Sequence, residues 1–95
     1  MPVFLAELYL SAADPASRSD ALRRLDTAAA RLRRAGTHVR ARRPIYLPQD
    51  ETYLIQIEAD SKDAVTQLAL AAALCFDRIS EAEPAMPTSG KRADA

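Results

Sequence analysis

Four strands of one antiparallel sheet with two helices packed on a single face, an α+β domain, is the architecture this chain predicts, and three observations predict it. Thr52 to Ala59 alternates apolar and polar residues with a period of two, as a half-buried strand does. An uncharged run of thirteen residues, Ala64 to Phe76, follows with helical spacing, and Asp77 to Glu83 then returns to strand character. The first half repeats the order: an alternating segment at residues 2–10, a helix-forming segment, and a second alternating segment from Thr37 to Leu47.

Residues 2–10 form the first strand, with Phe4, Ala6, Leu8 and Leu10 on one face and Val3, Leu5, Glu7 and Tyr9 on the other. Ser11 to Asp20, with its Asp14-Pro15 step and several serines, ends the strand and offers N-caps for a helix. Leu22, Leu25, Ala29 and Leu32 then mark one apolar stripe on a helix ending at Ala35, with Gly36 as the stop. In the second strand Val39, Ala41, Arg43 and Ile45 oppose His38, Arg40, Arg42 and Pro44. Pro44 lacks a ladder donor, which demands a sheet edge or a bulge near that position.

Pro48-Gln49-Asp50-Glu51 supplies a turn. The third strand places Tyr53, Ile55, Ile57 and Ala59 inside and Leu54, Gln56 and Glu58 opposite. Asp60 is the expected cap of the second helix, about Lys62 to Leu74, which has so little polar surface beyond Thr66 and Gln67 that it needs cover on more than one side. The order is βαββαβ, the ferredoxin-like split unit. Residues 1–83 make a single domain, and 84–95, with Pro84, Pro87 and Gly90 and no apolar period, read as a disordered tail.

Composition bounds the function. Ninety-five residues, 48% apolar and 27% charged, make one small globular domain. A chain of this size buries only about 60 to 65% of its unfolded surface, so pairing with a second copy is a natural source of stability. The lone Cys75 forms no internal disulfide and is expected to be buried and inert. A start of Met-Pro-Val-Phe-Leu-Ala-Glu has neither the basic residues nor the apolar run of a secretion signal, and thirteen uncharged residues are too few to span a bilayer. A cytoplasmic location without membrane attachment is the expectation.

Net charge is zero, yet nine of the thirteen basic residues fall between Arg18 and Arg43. Asp20 with Arg24 and Arg23 with Asp26 have the spacing of pairs on one helix face. That block therefore reads as a solvated surface, and nucleic acid is not an expected partner.

The chain resembles a family of small bacterial ferredoxin-like proteins classed as a domain of unknown function, some members of which are described as nickel-binding or nickel-responsive. The resemblance rests on Met1-Pro2-x-Phe4-x-x-Glu7, on Thr52-Tyr53 leading to Glu58-Ala59, and on Asp77-Arg78-Ile79-Ser80-Glu81, and it covers about residues 1–83. It implies a protomer that pairs into a dimeric α/β barrel with a ligand or metal site against the sheet. Nickel-binding members look histidine-bearing in the second helix and the loop after it, where this chain has Ala69, Ala71, Leu74 and Cys75. With His38 as its single histidine, the chain presents no set of metal ligands, and no cofactor is expected.

With both helices on one face, the other sheet face lacks a cover within the protomer. It mixes apolar residues with carboxylates, as small-molecule sites do. Glu7, between Leu5 and Tyr9, is the candidate general base or acid, the plainer alternative being an ion pair with Arg40 or Arg42. His38 is a second candidate for proton transfer, or else a solvent-facing neighbour of the helix stop. Tyr9, Leu54, Gln56, Glu58 and Glu81 are the candidate ligand-binding residues. Two classes of function remain: small-molecule binding or cofactor-free catalysis on the open face, and a non-catalytic binding or self-assembly module.

Overall fold

Strand β1 (Val3–Tyr9) buries Phe4, Ala6 and Leu8, and β3 (Thr52–Ala59) buries Tyr53, Ile55, Ile57 and Ala59. Period-two burial on two adjacent strands makes one continuous apolar face. The computed structural model describes residues 1–83, so the tail expected over 84–95 lies outside the described residues. Its elements run β1, α1 (Pro15–Arg34), β2 (Val39–Leu47), β3, α2 (Lys62–Ala72) and β4 (Arg78–Ala82). The sheet order is β2-β3-β1-β4, with every neighbouring pair antiparallel. This is the ferredoxin-like fold, with β1 and β3 central and β2 and β4 as edges.

Helix α1 turns Ala21, Leu25, Ala28 and Ala29 to the sheet. Leu22 and Leu32, assigned to the buried stripe from spacing alone, are only half-buried. Small alanines bring α1 close to its neighbours, and Leu25 fills the space between them with no exposed surface. Helix α2 buries Ala64, Val65, Leu68, Ala69 and Ala72 and leaves Thr66, Gln67, Leu70 and Ala71 to solvent. It therefore does have an outer face, on which Leu70 is 76% exposed. Its N-cap is Ser61, whose hydroxyl accepts from the Ala64 amide at 3.2 Å, and not Asp60 as expected. Both residues suit the role; the extended backbone falls at Ser61.

The two helices end in the same hydrogen-bond pattern with different residues. After α1, Gly36 adopts φ 99°, its amide bonds the Arg33 carbonyl and the Thr37 amide bonds that of Leu32. After α2 the same left-handed position is held by Ala73 at φ 57°, with amide bonds from Ala73 to Leu70 and from Leu74 to Ala69. An alanine Cβ in that conformation crowds the following carbonyl, a strain glycine does not feel. Ala73→Gly is expected to raise stability by about 0.5 kcal/mol, the strain relief exceeding the entropy glycine returns to the unfolded chain. Urea midpoints at unchanged slope measure it.

Cys75, expected to be buried, is exposed, because it lies beyond α2 in the connection to β4 rather than on the helix's inner face. No described helix is long and apolar enough to cross a membrane.

Candidate functional site

The face of the sheet away from the helices is laid out in rungs by the strand registers. One end holds Tyr9, Thr52 and Leu47 side by side. The next rung holds Arg78, Glu7, Leu54 and Ile45. The third has Ser80, Leu5, Gln56 and Arg42, and the last has Ala82, Val3, Glu58 and Arg40. Rungs on one face lie about 7 Å apart. The face thus grades from an apolar end, with Tyr9, Ile45 and Leu47 exposed, to a polar end.

A bulge in β2 creates that gradient. Between Arg42 and Ile45 the strand spends one residue more than β3 does between Gln56 and Leu54. The expected bulge near residue 44 is therefore present, and β2 is also an edge strand, so Pro44 breaks no central ladder. Arg43 takes φ 51°, a left-handed conformation that costs a non-glycine residue on the order of 1 kcal/mol. The inserted residue reverses parity, so Ile45, expected on one face with Val39 and Ala41, lies opposite them and is 56% exposed on the open face. Tyr46 turns inward instead, where its hydroxyl donates to the Leu10 carbonyl and the Arg18 guanidinium lies 4.4 Å from its ring centre.

At the polar end lies a hollow of about 490 Å³, lined by Val3, Leu5, Gln56 and Glu58 together with Arg42 and Arg43 beside the bulge. Arg42 donates to Glu58 Oε2 at 3.1 Å, so one of the two carboxylates that line this hollow is already paired. Ala82 and Glu83 close the side nearest β4. The volume falls within the range of small-molecule sites, roughly 300 to 1,000 Å³.

The sequence-derived candidates separate on this map. Gln56 and Glu58 line the hollow. Glu7 and Leu54 share the open face with them but sit together on the neighbouring rung, outside its lining. Glu7 has no ion pair among the described residues; Arg42, proposed as its partner, serves Glu58. Its cross-strand neighbours are Leu54 and Arg78. Tyr9 is one rung further, where its hydroxyl donates to Glu51 Oε1 at 3.3 Å. The adjacent Glu51 carboxylate pushes the Tyr9 phenol above its ordinary pKa.

Two candidates do not join the face. Glu81 pairs with Phe4 and therefore points to the helix side, exposed only because β4 is an edge; its parity with Ile79 sets this direction. His38 precedes Val39 at the end of the sheet opposite Tyr9, on a shallow recess of about 170 Å³ with Met1, Arg33 and Arg40. Glu7 and His38 stand about 20 Å apart along the strand direction, too far to share a proton transfer.

The sequence reading placed Val3 and Leu5 on this face without naming them among the ligand-binding residues, and it missed Arg42 and Arg43 as lining residues. Arg42-Arg43-Pro44 held the signal, since a bulge beside a proline re-aims the side chains around it. It also missed Glu51, at φ 49°, whose carboxylate accepts the Ala12 amide at 2.7 Å and whose carbonyl accepts that of Leu10. Asp77 acts similarly at the β1–β4 junction, donating its amide to the Glu7 carbonyl and accepting the Tyr9 amide at 2.7 Å through its carboxylate. Both acids are thus structural fasteners. Among the described residues there is no group of three or more histidines, cysteines and acids placed to hold a metal.

No protein-family model matches the chain, and no curated protein sequence matches it. A solved structure that is similar is that of SCO4226 from Streptomyces coelicolor A3(2), with a TM-score of 0.60 and 19% identity over 84% of this chain and 94% of that one. At that identity the likeness is one of fold, and it bears out the βαββαβ arrangement described above.

Proposed function

We propose that this chain binds a small organic molecule on the open face of its sheet, at the hollow beside the β2 bulge. The observation that carries the reading is the hollow itself, about 490 Å³ with an apolar floor of Val3 and Leu5 and a polar wall of Gln56, Glu58 and Arg42. Leu5 and Val3 project from a central strand held on both sides, so the floor is rigid. Binding has more support than catalysis, because Glu7, the carboxylate proposed to handle a proton, lies one rung beyond the lining. A ligand must extend past Leu5 toward Leu54 to meet it.

A neutral fluorescent dye, N-phenyl-1-naphthylamine, tests the reading without relying on charge. One saturable site per chain is expected, weakened about tenfold by Leu5→Lys, which sets a charge in the apolar floor. Ile45→Ser, outside the hollow, leaves it unchanged. A dye that binds no better to the parent chain than to Leu5→Lys overturns the proposal. Glu7→Gln is expected to leave dye affinity within twofold; a larger loss draws Glu7 into the site and revives the proton-handling role.

A second reading, self-association, rests on the other half of the face, where Tyr9 and Ile45 are 59% and 56% exposed beside Leu47 and Leu54. Contiguous apolar surface of this kind favours a partner, and a second copy is the simplest one. Sedimentation at micromolar concentration then gives a dimer that Ile45→Glu dissociates. A monomer in the parent chain removes this reading and leaves the first intact.

A further inference from the structure

The charge balance around the hollow narrows what it takes, given the binding reading above. Its lining holds two arginines, Arg42 and Arg43, and two glutamates, Glu58 and Glu83. Arg42 is committed to Glu58. Arg43 has no acidic partner among the described residues, and its backbone is held in a left-handed conformation that carries its side chain out of the strand's regular alternation and onto the rim of the hollow. One uncommitted guanidinium thus stands beside the bulge at an apolar floor, while Glu83, also without an ion pair among the described residues, borders the side nearest β4.

We propose that the hollow is built for a monocarboxylate with an apolar body, the carboxylate seated on Arg43 and the body over Val3 and Leu5. A guanidinium presents two parallel N–H donors that match the two oxygens of a carboxylate, which a neutral amide or ester cannot reproduce. A doubly charged phosphate fits less well, because Glu58 and Glu83 border the same space and only one arginine is available to offset the added charge. The Gln56 amide, in the polar wall between Leu5 and Arg42, offers a further donor and acceptor to a substituent on the body.

Displacement of bound N-phenyl-1-naphthylamine by three ligands of one shape tests this: 1-naphthoate, 1-naphthamide and 1-naphthylmethylamine. Naphthoate is expected to displace the dye at about tenfold lower concentration than the amide, with the amine weakest. Arg43→Met removes the preference for the acid, whereas Arg31→Met, on the outer surface of α1, keeps it. Arg43→Gly, whose residue fits the left-handed backbone without strain, also removes the preference while its thermal midpoint holds or rises, which separates ligand binding from folding. Equal displacement by acid and amide, stronger displacement by the amine, or an acid preference that survives Arg43→Met overturns the assignment while dye binding still upholds the hollow as a site. Failure of the parent chain to bind the dye at all overturns both.

Discussion

Replacing Leu25 with alanine is expected to cost about 3 kcal/mol and to lower the thermal midpoint by roughly 12 °C or more. Leu25 is fully buried in α1, in the cluster that includes Ile57, Val65 and Leu68. Its neighbours on the helix, Ala21, Ala28 and Ala29, are too short to move into the space it leaves. The sheet beneath is held by ladders on both central strands and cannot sink toward the helix, so most of the cavity persists and the cost sits inside the usual leucine-to-alanine range rather than at its floor. A small domain has about 5 to 10 kcal/mol in total, so the loss is a large share of its stability. Chemical denaturation monitored by tyrosine fluorescence and by circular dichroism gives the value. A cost below about 1 kcal/mol means that the helix is packed more loosely than the buried cluster indicates.

The second large effect belongs to Arg24. From the middle of α1 it donates Nε to the Ala72 carbonyl at 3.0 Å and a terminal nitrogen to the Ala73 carbonyl at 2.7 Å, closing the end of α2. Carbonyls at a helix C-terminus lack partners within the helix and carry the negative end of its dipole, so a cation there is favoured twice. The same guanidinium reaches Asp20 Oδ2 at 3.2 Å, but that pair lies within one exposed helix face and contributes little. Arg24→Met keeps the aliphatic stem and removes the donors, and the expected loss is about 2 kcal/mol, discounted for a side chain that is still partly in water. Hydrogen exchange is the discriminating readout: Ala73 and Leu74 amides speed up in the variant while those of β3 follow only the global change. Asp20→Asn, which leaves both carbonyl bonds in place, costs less than about 0.5 kcal/mol.

Legibility in the sequence followed the number of constraints on each segment. Strands β1 and β3 are central and buried on one face, so their alternation was complete and their inward residues, Phe4 to Leu8 and Tyr53 to Ala59, could be assigned from pattern alone. Strand β2 is an edge, where one inserted residue carries no core penalty; parity was right up to Arg42 and reversed from Ile45 onward. The cap of α2 was misplaced by one residue because Asp60 and Ser61 are both competent, and only the backbone at Ser61 decides between them. Ala73 gave no sign of its left-handed conformation, since the residue that normally announces it is glycine. The hollow was the least legible feature of all. It depends on Val3 meeting Glu58 on one side and Ala82 on the other, a register set across the whole chain and written in no local motif.

The sheet topology has a consequence for the order in which the molecule assembles. β2 and β3 are joined by a short turn and can zip from it as a local hairpin, whereas β1, which precedes both in the chain, pairs only with β3 and β4. Its ladder groups stay unpaired until β3 has been made, and the cost of closing so long a loop is met before any of those bonds repay it. Insertion of β1 between β3 and β4 is thus expected to be the slow step of folding. Strand β4, short and docked against β1 alone, completes its ladder only once that insertion has happened, and the floor under the hollow comes into being in the same event.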